Sequence, residues 1–319
     1  VHWLRLPLPM KLDHVNIYVL DDGDGWTLID TGMKTRRVQA MWQVVLEGPL
    51  RGKPVKRVVA THHHPDHIGF HGWFVEEFGA EYVSTQVAYL TGRMLTLDVQ
   101  ERYTPDQIAF YRRAGMRSDL LAARQDERPF NFSDMVHPIP IGFTRIDEGD
   151  VIEMGGRSWD VRVDHGHAPD HATFWSRDDN LVLCGDQVIA SISSNIGVYP
   201  TEPDANPLAD WLDSCARLQN FARADHLALP GHKLPFVGMP LRLRQLEENH
   251  HGALTRLRAD LKTPKTAGEV MMAVFKRQIG DGEYGLGLVE ALAHCNYLWH
   301  AGEVTRSLHQ DGAYRWVMN

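Results

Sequence analysis

Four metal-capable side chains fall within six residues: His62, His64, Asp66 and His67. They follow a β-branched run, Val55 to Ala60, in a stretch that reads Val-Val-Ala-Thr-His-His-His-Pro-Asp-His-Ile-Gly-Phe from Val58 to Phe70. If the run is a buried strand, the histidines leave its carboxyl end, where α/β folds usually place their chemistry. In extended chain His62 and His64 lie two apart and share a face, while Pro65 bends the backbone so that Asp66 and His67 turn toward a second point. One stretch can therefore feed two metal ions. A lone histidine is more often a half-buried residue with no ligand role. The pattern His-x-His-x-Asp-His, after a strand and before an apolar segment, reverses that preference.

Thr61-His62-His63-His64-Pro65-Asp66-His67 resembles the signature of the metallo-β-lactamase superfamily, and the rest of that pattern occurs in order. Asp30-Thr31-Gly32 resembles the early Asp-x-Gly element, Gly166-His167 the third ligand motif, Cys184-Gly185-Asp186 the bridging aspartate and Pro230-Gly231-His232 the last histidine. The resemblance implies an α/β fold, the αββα sandwich, and hydrolysis by a hydroxide bridging two metal ions. His62, His64 and His167 would hold one ion and Asp66, His67 and His232 the other, with Asp186 between them and Asp66 shuttling the proton. A carboxylate can span two metals ~3.5 to 4 Å apart. Nitrogen and oxygen ligands without thiolate suit two divalent ions, Zn²⁺ ahead of Mn²⁺ or Fe. Antibiotic-hydrolysing zinc β-lactamases commonly carry Cys where Asp186 stands, which argues against that activity. The chain departs from the family's usual Thr-Pro-Gly-His-x-x-Gly-His, with Asp164, His165 and Asp170 in place of Thr, Pro and Gly. By register His167 is the ligand and His171 a supporting residue behind it, with His165 the alternative ligand. Lys233 stands where many relatives carry Gly, and is either a solvated lysine or an attractor for an anionic substrate.

The elements that must position these residues are legible around them. Val15 to Leu20 and Trp26 to Asp30, joined through Asp21-Asp22-Gly23-Asp24-Gly25, read as a hairpin. Asp30 at its end suits a buried carboxylate that orients a ligand histidine from behind; a simple turn or helix cap is the alternative. A helix from about Lys34 to Leu46 leads to the ligand strand. Residues 85–145 read as a helical insertion: Thr104-Pro105-Asp106-Gln107 is a capping box with Pro at the first helical position, Gly115 a stop, and Ser118-Asp119-Leu120-Leu121 a second start. Eight Arg against seven Asp or Glu make this insertion neither a basic nor an acidic arm. Met94, Phe110, Tyr111, Met116 and Phe130 either wall a pocket or pack the insertion onto the core, so no substrate-binding residue is identified. Strands are expected at Trp159 to Val163, Ala172 to Trp175 and Leu181 to Leu183, with Cys184 in the core, and a helix from about Leu208 to Phe221.

Residues 1–237 are expected to form the catalytic domain and 238–319 a second one. The second reads as a helix from Arg242 to Leu261, a capping box at Thr266 and Glu269, a helix from Leu288 to Trp299 and a hairpin of Val304 to Leu308 with Tyr314 to Val317. This order resembles the winged-helix tail of a superfamily branch that includes lactamase-like endoribonucleases. Ten Lys or Arg against nine Asp or Glu in the tail favour packing or homodimer formation over DNA binding.

A net charge of -8 argues against nucleic acid as the main partner. No apolar run approaches the roughly 18 residues of a membrane helix, and no signal peptide is visible at Val1 to Arg5, although the chain does not begin with Met. Cys184, Cys215 and Cys295 are too few for a disulfide framework, which points to a reducing cytoplasm. A small-molecule carboxylic ester, thioester or lactone is the first substrate expectation, because the candidate wall is apolar and no basic groove is evident. No glutathione-binding tail of the glyoxalase II kind is visible. An endoribonuclease or phosphodiesterase comes second. A non-catalytic metal-binding regulatory protein comes third, opposed by the intact ligand set.

Overall fold

The computed structural model describes residues 1–319. The chain opens with β1 (His2–Pro7), β2 (His14–Asp21) and β3 (Trp26–Ile29), paired antiparallel in that order. Helix α1 (Arg36–Glu47), capped by the Thr35 side chain on the Val38 amide, returns the chain to β4 (Val55–Val59), which lies parallel to β3. The short α2 (Pro65–Ile68) and then α3 (His71–Phe78) precede β5 (Glu81–Ser84). Helices α4 (Gln86–Leu97), α5 (Pro105–Arg113), α6 (Ser118–Asp126) and α7 (Phe132–Met135) follow, and β6 (Thr144–Arg145) closes a six-stranded sheet in the order β1-β2-β3-β4-β5-β6. A second sheet is built from β7 (Val151–Met154), β8 (Arg157–Asp164), β9 (His171–Ser176) and β10 (Leu181–Gly185). After α8 (Pro207–Gln219), β11 (Leu227–Pro230) joins β10 in parallel, which gives five strands in the order β11-β10-β9-β8-β7. The tail comprises α9 (Met239–Asp260), α10 (Met271–Phe275), α11 (Asp281–His300) and the hairpin β12 (Val304–Leu308) with β13 (Tyr314–Met318).

Period-two alternation explains why the first sheet is buried on both faces. Tyr18, Leu20, Ile29, Val59 and Val83 pack against Trp159, Val161, Phe174, Leu183 and Leu229 of the second sheet. The alternate residues Ile17, Val19, Leu28 and Val58 face Val38 and Trp42 of α1 and Phe74 of α3. The result is the mixed α/β sandwich expected from the motifs. No helix is long and apolar enough to cross a membrane.

The chain divides into two compact units. The first takes residues 1–99, 130–194 and 222–242 and holds both large sheets; the second takes 100–129, 195–221 and 243–319. The two units are interleaved along the sequence. Long-range bonds within the second unit account for this: Arg117 pairs with Asp281 at 2.9 Å, its amide donates to the Tyr284 hydroxyl at 3.0 Å, and Asn296 Nδ2 donates to the carbonyls of Pro203 and Ala205. Both capping boxes form, Thr104 with Gln107 and Thr266 with Glu269.

Candidate metal centre

Every metal-capable motif follows the carboxyl end of a strand in the first unit. Asp30 follows β3, His62 to His67 follow β4, His167 follows β8, Asp186 follows β10 and His232 follows β11. The structure brings seven of these side chains together in overlapping groups. His62, His64 and His167 form one, His62, His67 and Asp186 a second, and Asp66, His67 and His232 a third, with the donor atoms of each within 4.8 Å of one another.

Supporting bonds aim the donor atoms. Asp30 adopts φ +61°, a conformation an L-residue holds only when its surroundings impose it. Its Oδ1 accepts from the Thr61 amide at 2.9 Å, and its Oδ2 accepts from the Thr61 hydroxyl at 2.8 Å and from His67 Nδ1 at 2.7 Å. That leaves His67 Nε2 directed away from Asp30, 3.5 Å from Asp186 Oδ1 and 3.7 Å from Asp66 Oδ2. Thr31 donates its amide to the His67 carbonyl at 2.7 Å and so anchors α2. His232 Nδ1 donates to the His14 carbonyl at 2.7 Å, and His232 Nε2 lies 3.1 Å from Asp186 Oδ2 and 3.3 Å from Asp66 Oδ2. His167 Nε2 lies 3.6 Å from Asp186 Oδ2. His171 accepts the Asp186 amide through Nε2 at 3.0 Å and stacks on His62 with ring centroids 4.6 Å apart.

Two electrostatic environments meet here. Burial, reinforced by neighbouring histidines, holds His62 and His64 well below the ordinary imidazole range and takes His63 and His171 down to about 3. These rings are neutral at pH 7 and have lone pairs to offer. Burial also opposes charge on His67 and His232, but the carboxylates override it: Asp186, Asp66 and Asp30 raise His67 well above its usual value, and Asp186 and Asp66 raise His232 to about 10. Burial alone would raise Asp186, yet His232 and His67 keep it far below the usual carboxylate range. This side of the centre calls for positive charge. The buried His67 Nε2 and Asp186 Oδ1 find no hydrogen bond within the protein, which fits atoms reserved for a cation.

Glycine is required beside the Asp186 carboxylate. A Cβ on Gly231 would lie 2.3 Å from Asp186 Oδ1 and 2.8 Å from His67 Cε1. Gly231→Ala should therefore displace the Asp186 carboxylate and weaken metal binding on the order of 10- to 100-fold, as read by titration against a competing chelator. Unchanged affinity would show that the carboxylate has room to move. Gly185 is similarly confined, at φ +48° with a Cβ that would meet His171 Cε1 at 2.6 Å.

His165 is half-exposed beside Asp170 and belongs to none of the donor groups. Lys233 adopts φ +66°, the left-handed region that favours glycine. Cys184 is buried, its thiol within 3.5 Å of the Val182 carbonyl. Met94 and Phe130 are exposed in the first unit, whereas Phe110, Tyr111 and Met116 belong to the second, with Phe110 and Met116 buried. Sequence reasoning missed the support from β2: the carbonyl of His14, Asn16 Nδ2 donating to the carbonyls of Pro230 and Lys233, and the Tyr18 hydroxyl donating to Pro230. The available signal was Asn16, a polar residue inside an apolar strand.

A strand-end cluster of histidines and aspartates on a two-sheet α/β scaffold defines a metallo-hydrolase class. Residues 10–232 match the family model described as Metallo-beta-lactamase superfamily, and residues 254–319 match that described as Metallo-beta-lactamase-like, C-terminal domain. The chain belongs to the metallo-β-lactamase superfamily. It is 26% identical over 301 residues to a probable metallo-hydrolase, YqjP, of Bacillus subtilis (strain 168), across 92% of this chain and 91% of that one. A beta-lactamase domain protein from Burkholderia ambifaria is 34% identical and superimposes with a TM-score of 0.90 over 99% of this chain and 92% of its own. A metallo-beta-lactamase family protein from Thermus thermophilus is 28% identical, with a TM-score of 0.83 over 100% of this chain and 98% of its own.

Proposed function

We propose that the protein is a binuclear metal-dependent hydrolase acting on a carboxylic ester, thioester or lactone. The observation that carries this reading is the pair of donor triads, His62–His64–His167 and Asp66–His67–His232, with Asp186 within 3.6 Å of His67, His167 and His232. The donor set is nitrogen and oxygen without thiolate, which favours Zn²⁺ ahead of Mn²⁺ or Fe. Two divalent ions held there supply Lewis acidity and lower the pKa of water toward ~7. The chain's own part is to position and to move protons. Asp66, with Oδ2 3.3 Å from His232 Nε2, takes the proton of the attacking water and returns it to the leaving group. Asp30, His171 and the His14 carbonyl keep the ligands aimed. A thiol nucleophile is disfavoured, since burial pushes the Cys184 and Cys295 thiols up and away from the reactive thiolate.

The acidic net charge of -8 favours a small acyl compound over a polyanion. A phosphodiesterase is the second reading, supported by the helix, helix and hairpin order of the tail, which we read as winged-helix-like. Three buried free cysteines fit a reducing cytoplasm. Metal analysis followed by hydrolysis of acyl esters, thioesters, lactones and phosphodiesters, before and after chelation, tests the proposal. Expected are about two metals per chain and acyl hydrolysis that chelation abolishes and Zn²⁺ restores. Phosphodiester turnover alone would replace the substrate class, and failure to bind Zn²⁺ or Mn²⁺ would overturn the centre.

A further inference from the structure

Helix α4 inverts the usual layout of a surface helix. Its buried side is Ala88, Tyr89, Gly92 and Thr96, while Val87, Leu90, Met94 and Leu97 stand on the solvent side, between 40% and 68% exposed. Their spacing sets all four on one stripe, where a surface helix ordinarily carries charge. The helix has one charged residue, Arg93, and its Nη1 is already committed to the carbonyls of Ile139 at 2.6 Å and Pro140 at 3.3 Å. The Tyr89 hydroxyl is within hydrogen-bonding distance of the carbonyls of Pro140 at 2.8 Å and Ile141 at 2.5 Å. These bonds pin the 139–141 segment beside α4 and leave Ile141 85% exposed.

We propose that this face of α4 pairs with the same face of a second copy of the chain. Five side chains exposed to this extent present on the order of 500 Å² of apolar surface, at roughly 150 to 200 Å² for a fully free large side chain. A standard dimer buries ~800 Å² per partner, about 65% of it apolar in homodimers, which requires about the same amount. Charge selects the occupant. Each copy carries -8, and the helix itself, Gln86 to Leu97, contains no Asp or Glu to repel the same helix of a second copy, the nearest following acids being Asp98 and Glu101 beyond its C-terminal end. A lipid surface would call for a lysine and arginine rim around the apolar stripe, and the helix offers only the engaged Arg93. A two-fold interface is self-complementary by construction, so one apolar stripe without charge serves both partners.

Sedimentation velocity on the full chain, across concentrations from about 1 to 100 μM around the affinities of ordinary homodimers, reads the outcome. The wild type should sediment at twice the 36.2 kDa of the chain. Leu90→Glu with Met94→Glu, and separately Leu97→Lys at the exposed last turn, should each weaken association at least tenfold. Their metal content and far-ultraviolet spectrum should stay at wild-type values, which separates loss of pairing from loss of fold. A wild type that stays monomeric at every concentration overturns the proposal, and so does a dimer that survives both variants. A monomer that co-sediments with phosphatidylcholine vesicles would reassign the face to lipid.

Discussion

Replacing Asp186 with alanine should strip metal from the centre and abolish turnover together. Asp186 is the carboxylate that approaches His67, His167 and His232 at once, with distances of 3.5, 3.6 and 3.1 Å. Its amide is held by His171 at 3.0 Å, so the backbone stays in place when the side chain is removed. Without the carboxylate the two imidazoles raised by it, His67 and His232, can shed their protons, and the fold should survive. We expect metal content to fall from about two to one or fewer per chain and turnover to fall by more than the ~100-fold that loss of a merely supporting residue causes. Elemental analysis and a chelator-sensitive assay on the same sample check both. Full occupancy in the variant would mean that Asp186 does not join the two ions.

Asp30→Asn should produce the second largest loss, although Asp30 touches no proposed ion. The variant keeps the shape, and asparagine tolerates the left-handed backbone that residue 30 occupies at φ +61°. What it removes is the charge that accepts the hydrogen bond of His67 Nδ1 at 2.7 Å while accepting two bonds from Thr61. His67 then loses both its orientation and part of its basicity, and metal affinity should drop about 10- to 100-fold. Affinity measured against a chromophoric chelator is the readout, since it separates a positioning role from a chemical one. Asp30→Gly, which suits the same backbone angle, should lose at least as much. Wild-type affinity in both variants would leave Asp30 as a turn residue only.

The centre is legible in the sequence because its chemistry is local. The groups His62, His64, Asp66 and His67 occupy one strand end, and the other candidate donors stand beside glycines, such as Gly231, which the packing requires against Asp186. Support that acts through backbone carbonyls is not legible, because any residue type can supply it; the bond from His232 to the His14 carbonyl spans 218 positions. Edge strand β1 escapes notice for lack of a local pattern. Helix α11 begins at Asp281, seven positions before the expected Leu288, because Gly282, Gly285 and Gly287 mask it and tertiary burial overrides their poor propensity. The outward apolar stripe of α4 runs against the polarity rule by which surface helices are recognised.

The interleaving of the two units has a consequence for the order in which the chain can mature. Translation delivers residues at about 5 to 20 per second, and the partners of Arg117 and Gly115 lie some 150 positions downstream, at Thr266, Asp281 and Tyr284. Helices α5 and α8, with Phe110, Leu208 and Trp211 destined for burial, therefore leave the ribosome roughly several seconds or more before the rest of their unit exists. The sheets of the first unit are complete once β11 has emerged, while the second unit must wait for the last residues of β13. The nascent chain thus carries α5 and α8 unmatched until α11 and the β12–β13 hairpin have followed them.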